Sequence, residues 1–331
     1  MKFTLIICTY KRPEPILTLL NSVQKQTLYP SEILIVDGSP DDSTEKVLEH
    51  NKFENLSYFR VSPEHRGLTR QRNFGIERVV SDSEIVCFLD DDTELFPDYF
   101  EELIKTYRND ASISGVGGIA VNENRWKKAD PNLKYNKYKY FQFGNFVIKE
   151  GQRNVVRNYL GLQSNLDPSK MPDYSHGRSC GLPMDDKIYE VDLLIGMSFS
   201  FRKKVFEKLR FSSYFEGYGL YEDADFSIRA LQFGRNVINT KVKLNHYHNP
   251  AGRPNKYQYG KMVIRNGWYI WRVKNPNPSL KDRLKWNSIS FLLTLIRFSN
   301  TFTSKNKKEA FTEAVGRTVG WWSLFFNKPK I

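Results

Sequence analysis

The chain has 331 residues, 40% apolar and 14% aromatic. That is enough to bury a full core without staples, and too rich in rings for intrinsic disorder. Gly 20 and Pro 15 exclude a collagen-like or linker-dominated architecture. Three cysteines (Cys8, Cys87 and Cys180) are too few and too scattered for a disulfide framework, and a reducing compartment fits them. The net charge of +13 lies entirely on the last quarter of the chain. Residues 251–331 hold 16 basic and 3 acidic side chains, whereas residues 1–250 hold 34 of each. A basic tail on a neutral body reads as a contact with an anionic surface, membrane or nucleic acid.

The first 120 residues alternate strand and helix signals. Residues 4–8 form a nearly continuous apolar run, as a strand covered on both faces requires. Pro13 then opens a helix with Ile16, Leu19, Leu20 and Val23 on one face. Residues 33–36 are a second strand, stopped by the turn cluster Asp37-Gly38-Ser39-Pro40, and a helix follows from about Asp42. Residues 56–61 give a third strand and 68–80 a helix. Residues 85–89 give a fourth strand ending in Asp90-Asp91-Asp92, and Pro97 starts the next helix. Four β–α units in sequence predict an α/β fold with a doubly wound, mainly parallel sheet, in which ligands sit outside the carboxyl ends of the strands. Those ends carry Thr9, Asp37 and the Asp90–Asp92 run.

Residues 122–190 lose this rhythm. Lys127, Lys128, Tyr135, Lys137, Tyr138, Lys139 and Tyr140 interleave bases with rings, as a solvated loop or edge hairpin does, or a surface for sugars or lipid head groups. Residues 191–201 resemble another strand, and 221–233 a helix stopped by Gly234. Beyond Pro250 three helices are expected, at about 255–273, 280–298 and 307–326. The N-terminal apolar run is too short for a signal-peptide core. The longest largely apolar stretch, 289–296, spans about 12 Å as a helix against roughly 30 Å of hydrocarbon. A cytoplasmic location is expected, peripheral on the inner face of the cell membrane where the tail docks there.

Three consecutive aspartates after so apolar a strand raise one another's pKa, and a hard cation bound through oxygen relieves such a cluster. Mg²⁺ or Mn²⁺ there would hold the phosphates of a nucleotide; the alternative is a helix cap at Asp92 or Thr93. Ile7-Cys8-Thr9-Tyr10-Lys11-Arg12, Ile35-Val36-Asp37-Gly38-Ser39, the 67–75 stretch from Gly67 to Gly75, Leu89-Asp90-Asp91-Asp92 and the 217–225 stretch with Glu222-Asp223 stand in an order that resembles family-2 inverting glycosyltransferases of the GT-A fold. The resemblance covers about 240 residues and is loose over the C-terminal helices.

The resemblance implies a set of roles. Thr9, Tyr10 and Arg12 would line the nucleotide pocket with Ser39, and Asp37 would accept a hydrogen bond from the base. Arg72 would lie near the nucleotide, as would Arg70. Asp91 would face the ribose, next to Asp90, and Asp92 would ligate the metal. Asp223 would be the general base, supported by Glu222 and Asp225. Inverting transfer needs one carboxylate to take a proton from the acceptor hydroxyl, and positive charge on the leaving diphosphate. Of the two histidines about twenty residues further on, His248 is preferred over His246 as a metal ligand, because the Asn249-Pro250 turn would aim it. His176 and Cys180 share an ordinary loop, and Cys8 and Cys87 are inert core thiols.

The expected division is a nucleotide-sugar half at 1–121, an acceptor-side half of the same catalytic domain at 122–250, and a basic amphipathic helical tail at 251–331. The expected reaction moves a sugar from a nucleoside-diphosphate donor, UDP- or dTDP-linked by the suitability of Asp37 for a pyrimidine imino group, to a hydroxyl of a glycan or lipid-linked acceptor in cell-surface polysaccharide synthesis. A nucleotidyltransferase acting on sugar phosphates is the alternative, but it would want a Gly-rich phosphate loop after the first strand. A nucleic-acid binder would explain the tail's charge. Trp268, Trp271, Phe291, Leu292, Phe298, Trp321, Trp322 and Phe325 beside its bases favour instead an anionic bilayer, the protein body or a homodimer partner, and no nucleic acid.

Overall fold

The computed structural model describes residues 1–175, 178, 181–215, 217–248 and 253–331. His176, Cys180 and the Asn249-Pro250 turn lie outside the described residues. The chain forms two compact units, one of Met1–Asn124 with Met184–Arg253, the other of Arg125–Pro183 with Pro254–Ile331. Packing thus groups the 125–183 segment with the C-terminal helices, whereas the sequence expectation counted it with the catalytic sheet.

In chain order the first unit begins with β1 (Phe3–Thr9), α1 (Pro13–Gln24), β2 (Glu32–Asp37), α2 (Ser43–His50), β3 (Leu56–Arg60) and α3 (Leu68–Ile76). It continues through β4 (Ile85–Asp90), β5 (Thr93–Leu95), α4 (Tyr99–Asn109) and β6 (Ile113–Ala120). The second unit then takes β7 (Lys127–Lys128), β8 (Tyr140–Phe143), β9 (Phe146–Lys149) and α5 (Gln152–Tyr159). The chain returns to the first for β10 (Ile188–Val191), β11 (Ser198–Arg202), α6 (Glu222–Ala230) and β12 (Arg235–His246). It ends in the second with α7 (Lys256–Lys274), α8 (Leu280–Thr303) and α9 (Lys307–Phe326).

The first unit is a nine-stranded sheet in the order β10-β12-β6-β11-β4-β1-β2-β3, with β5 paired to β12. Strands β3, β2, β1 and β4 are parallel, and β11 runs against both β4 and β6. The sheet is therefore α/β, mixed and mostly parallel. β1, β2 and β4 are buried nearly throughout, which is why their sequences are continuous apolar runs. Ile16, Leu19, Leu20 and Val23 of α1 and Tyr99, Phe100, Leu103, Ile104 and Tyr107 of α4 join one core with them. A second layer stacks Phe88, Phe199, Phe206, Phe211 and Phe226 beneath α6.

Four strands depart from the sequence expectation. β6 reads as Ile-Ser-Gly-Val-Gly-Gly-Ile-Ala, and its glycines dilute the apolar signal. They are packing positions: a Cβ on Gly118 would lie 2.6 Å from the Val242 carbonyl oxygen of the neighbouring strand. The single strand expected at 191–201 is two, β10 and β11, because each pairs with different neighbours. β5 lies where the sequence was read as running straight from Asp92 to a helix at Pro97; α4 begins only at Tyr99.

In the second unit, β7, β9 and β8 form an antiparallel sheet in that order. The expected helices are present, with α8 extending five residues beyond the expected end at 298. Asn255 and Ser279 cap α7 and α8 by accepting from the Gln258 and Asp282 amides at 2.9 and 3.1 Å. α7 and α9 meet backbone to backbone, since a Cβ on Gly316 would overlap the Tyr257 carbonyl. Glu313 of α9 is buried between Arg297 of α8, at 2.7 Å, and Arg317, at 2.9 Å. Among the described residues, no helix is long and apolar enough to cross a membrane.

Candidate active site

The polar ends of β1, β2 and β4 lie side by side, because parallel pairing sets Thr9 opposite Asp37 and Cys8 opposite Asp90. Thr9 Oγ1 donates to Asp91 Oδ2 at 2.7 Å, and Arg12 Nη1 reaches Asp91 Oδ1 at 2.7 Å and Asp92 Oδ2 at 3.6 Å. Burial pushes the Asp91 carboxyl up to about 6, although Arg12 and Thr9 favour its ionised form. Thr93 Oγ1 donates to the Asp90 carbonyl at 2.8 Å, so the triplet closes a tight turn into β5; the residue at the N-cap position of α4 is Asp98.

β5 brings a histidine to this turn. It pairs antiparallel with the end of β12, His246 opposite Thr93, and the Tyr247 amide donates to the Asp92 carbonyl at 3.0 Å. His246 Nε2 consequently lies 3.3 Å from Asp92 Oδ1 and 4.0 Å from Asp90 Oδ2. Its Nδ1 lies 2.9 Å from Glu123 Oε1. Burial disfavours the charged ring, but hydrogen bonding to Asp92 and the nearby charges of Asp90, Asp92 and Glu123 outweigh it, and the His246 pKa is raised. His248 is exposed, its Nε2 2.7 Å from Glu123, and forms a second group of potential ligand atoms with Glu123 and His246, whereas the triplet meets His246. Potential ligand atoms of Asp90, Asp92 and His246 all lie within 4.8 Å of one another.

A second cluster adjoins the first through Asp90. Arg72, 2% exposed, lies among the rings of Phe88, Phe199 and Phe211. It is a buried link between this aromatic layer and the acids of the site. Its guanidinium pairs with Glu222 and lies 3.7 Å from Asp90 Oδ1. Burial, partly offset by Arg72, pushes the Glu222 carboxyl up to about 8. Asp223, half-buried, accepts from the Gly196 amide at 2.9 Å and from the Ala224 amide at 2.8 Å. α6 starts here because Tyr221 turns through φ +73° at its N-cap, and the first-turn acids meet the positive end of the helix. Asp225 is bound instead by Arg229, at 2.5 Å, within the same helix.

The Asp37 carboxylate is fully buried. It accepts from the Ser39 amide at 2.7 Å and from the Tyr58 hydroxyl at 2.9 Å, while Ser39 Oγ accepts from the Lys11 amide at 2.7 Å. Asp37 and Ser39 thus tie the ends of β1, β2 and β3 together. Tyr10 is exposed beside them. Arg70 donates to the Glu64 carbonyl at 3.0 Å. Sequence reasoning missed Glu123, Tyr58 and Gly196, none of which belongs to a motif; for Glu123 the signal would have been strand β6, which delivers it. Loss of solvation raises the pKa of both the half-buried Cys8 and the buried Cys87, that of Cys8 up to about 12, in keeping with inert roles.

Among the described residues, six carboxylic side chains (Asp90, Asp91, Asp92, Glu123, Glu222 and Asp223) gather here with two guanidiniums, Arg12 and Arg72. The excess negative charge, with oxygen and imidazole donors within common reach, fits a divalent cation such as Mg²⁺ or Mn²⁺.

A mostly parallel sheet with an acidic strand end and a carboxylate-rich helix start defines the class as GT-A-like. Residues 4–163 match the model of Glycosyl transferase family 2. It is 30% identical over 123 residues to a glucosyl-dolichyl phosphate glucuronosyltransferase of Haloferax volcanii, covering 37% of this chain and 39% of that protein. It is 24% identical over 241 residues to a GalNAc(5)-diNAcBac-PP-undecaprenol beta-1,3-glucosyltransferase of Campylobacter jejuni, covering 69% and 62% of the two chains. Its fold is similar to that of a mannosyltransferase from Pyrobaculum calidifontis in complex with GDP-Man and Mn2+, with a TM-score of 0.56 at 13% identity, over 99% of this chain and 88% of that one. The matched stretch spans about two fifths of the length of the first relatives.

Proposed function

We propose that the chain is a metal-dependent inverting glycosyltransferase, moving a sugar from a nucleoside-diphosphate donor to a hydroxyl of a glycan or lipid-linked acceptor in cell-surface polysaccharide synthesis. The observation that carries this reading is the adjacency, through Asp90, of the Asp92–His246 pair and the Asp223 carboxylate. The names of the relatives, which include lipid-linked acceptors, support it. Asp92 and His246 would hold the cation, with Asp90 beside them. Glu123 on the far ring nitrogen would orient His246, in the way carboxylates hold metal-bound imidazoles. When bound, the cation supplies positive charge for the departing diphosphate.

This chain's own residues do the rest. Asp223, held by two backbone amides, receives the proton of the acceptor hydroxyl as that oxygen attacks the anomeric carbon. Arg72 and Glu222 pair beneath it and support its position. Arg12 and Thr9 fix Asp91 where a ribose would be received, and Asp37 with Ser39 shapes the base end, for which a UDP- or dTDP-linked donor remains our preference. In this reading residues 1–121 form the nucleotide-sugar half and residues 122–250 the acceptor-side half.

The test is Asp223→Asn, assayed by nucleoside-diphosphate release from a donor sugar. Release should fall by about 10²–10⁴-fold while nucleotide binding is unchanged. Release at the wild-type rate would exclude Asp223 as the base.

A further inference from the structure

The two units differ in charge. Residues 125–183 and 254–331 carry 26 basic and 7 acidic side chains, a net +19; the other unit carries 24 and 30, a net −6. Within the basic unit, the acids of its helices are engaged internally. Asp282 bonds to the Ser279 cap, Glu309 lies 3.8 Å from Lys256, and Glu313 is buried between Arg297 and Arg317.

The same unit exposes apolar side chains in register. On α8, Leu280, Leu284, Phe291, Leu295 and Phe302 follow one another at spacings that keep one face of a helix, and they are 74%, 61%, 63%, 47% and 83% exposed. On α9, Phe311, Trp322, Phe325 and Phe326 are exposed likewise. Phe298 touches Phe311 with ring centroids 6.2 Å apart, and Trp321 Nε1 donates to Asn287 at 2.8 Å, so the two stripes border each other. Side chains of this size, about half exposed or more, present on the order of 1,000 Å² of apolar surface. A monomer ordinarily exposes a patch of a few hundred. Lys281, Lys305, Lys307, Lys308, Lys328 and Lys330, all exposed, stand at the helix ends around it.

We infer that the α8–α9 face is a docking surface for an anionic lipid bilayer, with both helices lying in the plane of the interface. Apolar rings flanked by lysines match the two layers of such a surface, acyl chain below and phosphate head group above. Neither helix is apolar enough to cross it. A second copy of this chain is disfavoured as the occupant, because pairing the face with itself would bring together two units of +19. Nucleic acid would use the lysines but not the stripe.

The inference is independent of sugar transfer, and its test reads binding alone. Full-length chain is sedimented at low salt with vesicles of phosphatidylcholine, or of phosphatidylcholine and phosphatidylglycerol in equal parts. Binding to the anionic vesicles is expected. It should weaken about tenfold or more in the Phe291→Ser/Phe302→Ser pair and on the order of 100-fold in the Lys305→Gln/Lys307→Gln/Lys308→Gln triple, with unchanged thermal unfolding. Should the phenylalanine pair unfold, tryptophan quenching by brominated phosphatidylglycerol takes its place, expected in the wild type and reduced in Trp322→Phe. A chain left unbound, bound equally by all variants or unquenched overturns the inference. So does a dimer dissolved by the phenylalanine pair, or retention of a single-stranded oligonucleotide in place of vesicles.

Discussion

His246 and His248 are two residues apart, yet only His246 faces the aspartates. The pairing of β5 with β12 decides this, by setting His246 opposite the residue after Asp92. Removing a metal ligand costs more than removing a residue outside the donor set. His246→Ala should therefore weaken Mn²⁺ binding by far more than His248→Ala, read by titration calorimetry. Glu123→Gln should cost about 10–100-fold, as changes to the group behind a metal-bound imidazole do. Equal losses in the two histidine variants would contradict the assignment. The carboxylates of this site were legible in the sequence because like charges at a strand end are conspicuous. Glu123, Tyr58 and Gly196 were not, because each acts through a position that only the folded sheet supplies.

Among the elements, the apolar strands β1, β2 and β4 and the long C-terminal helices could be read directly, since burial on both faces and helical spacing leave strong patterns. β6 could not. Its glycines look like a loop signal, but they exist to admit neighbours at close range. Gly118→Ala places a methyl group against the backbone carbonyl of Val242, which no side-chain rotation relieves. The substitution should destabilise the protein by about 1–3 kcal/mol, seen as a lower urea midpoint at unchanged slope. A midpoint equal to the wild type would show that β6 and β12 yield freely. β5 escaped notice for a different reason: three residues are too few to show a period, and only pairing with β12 makes them a strand.

The molecule as a whole separates its charge into two units, a division the sequence showed only in part. The surplus on residues 251–331 was plain, whereas the membership of 125–183 in the same unit depends on contacts remote in sequence, such as Trp271 Nε1 donating to the Asp173 carbonyl at 2.7 Å. The first unit, net negative and gathering acidic side chains at the carboxyl ends of its central strands, depends in our account on a divalent cation to receive a nucleotide.

Thermal unfolding with UDP, dTDP, GDP or CDP, each with Mn²⁺ or with chelator, tests that dependence most directly. One nucleotide at a hundredfold excess over its Kd should add about 2.7 kcal/mol, a rise of several degrees, with Mn²⁺ only, and Asp92→Asn should abolish it. A rise of equal size in chelator, or none with any nucleotide and metal, would contradict the account.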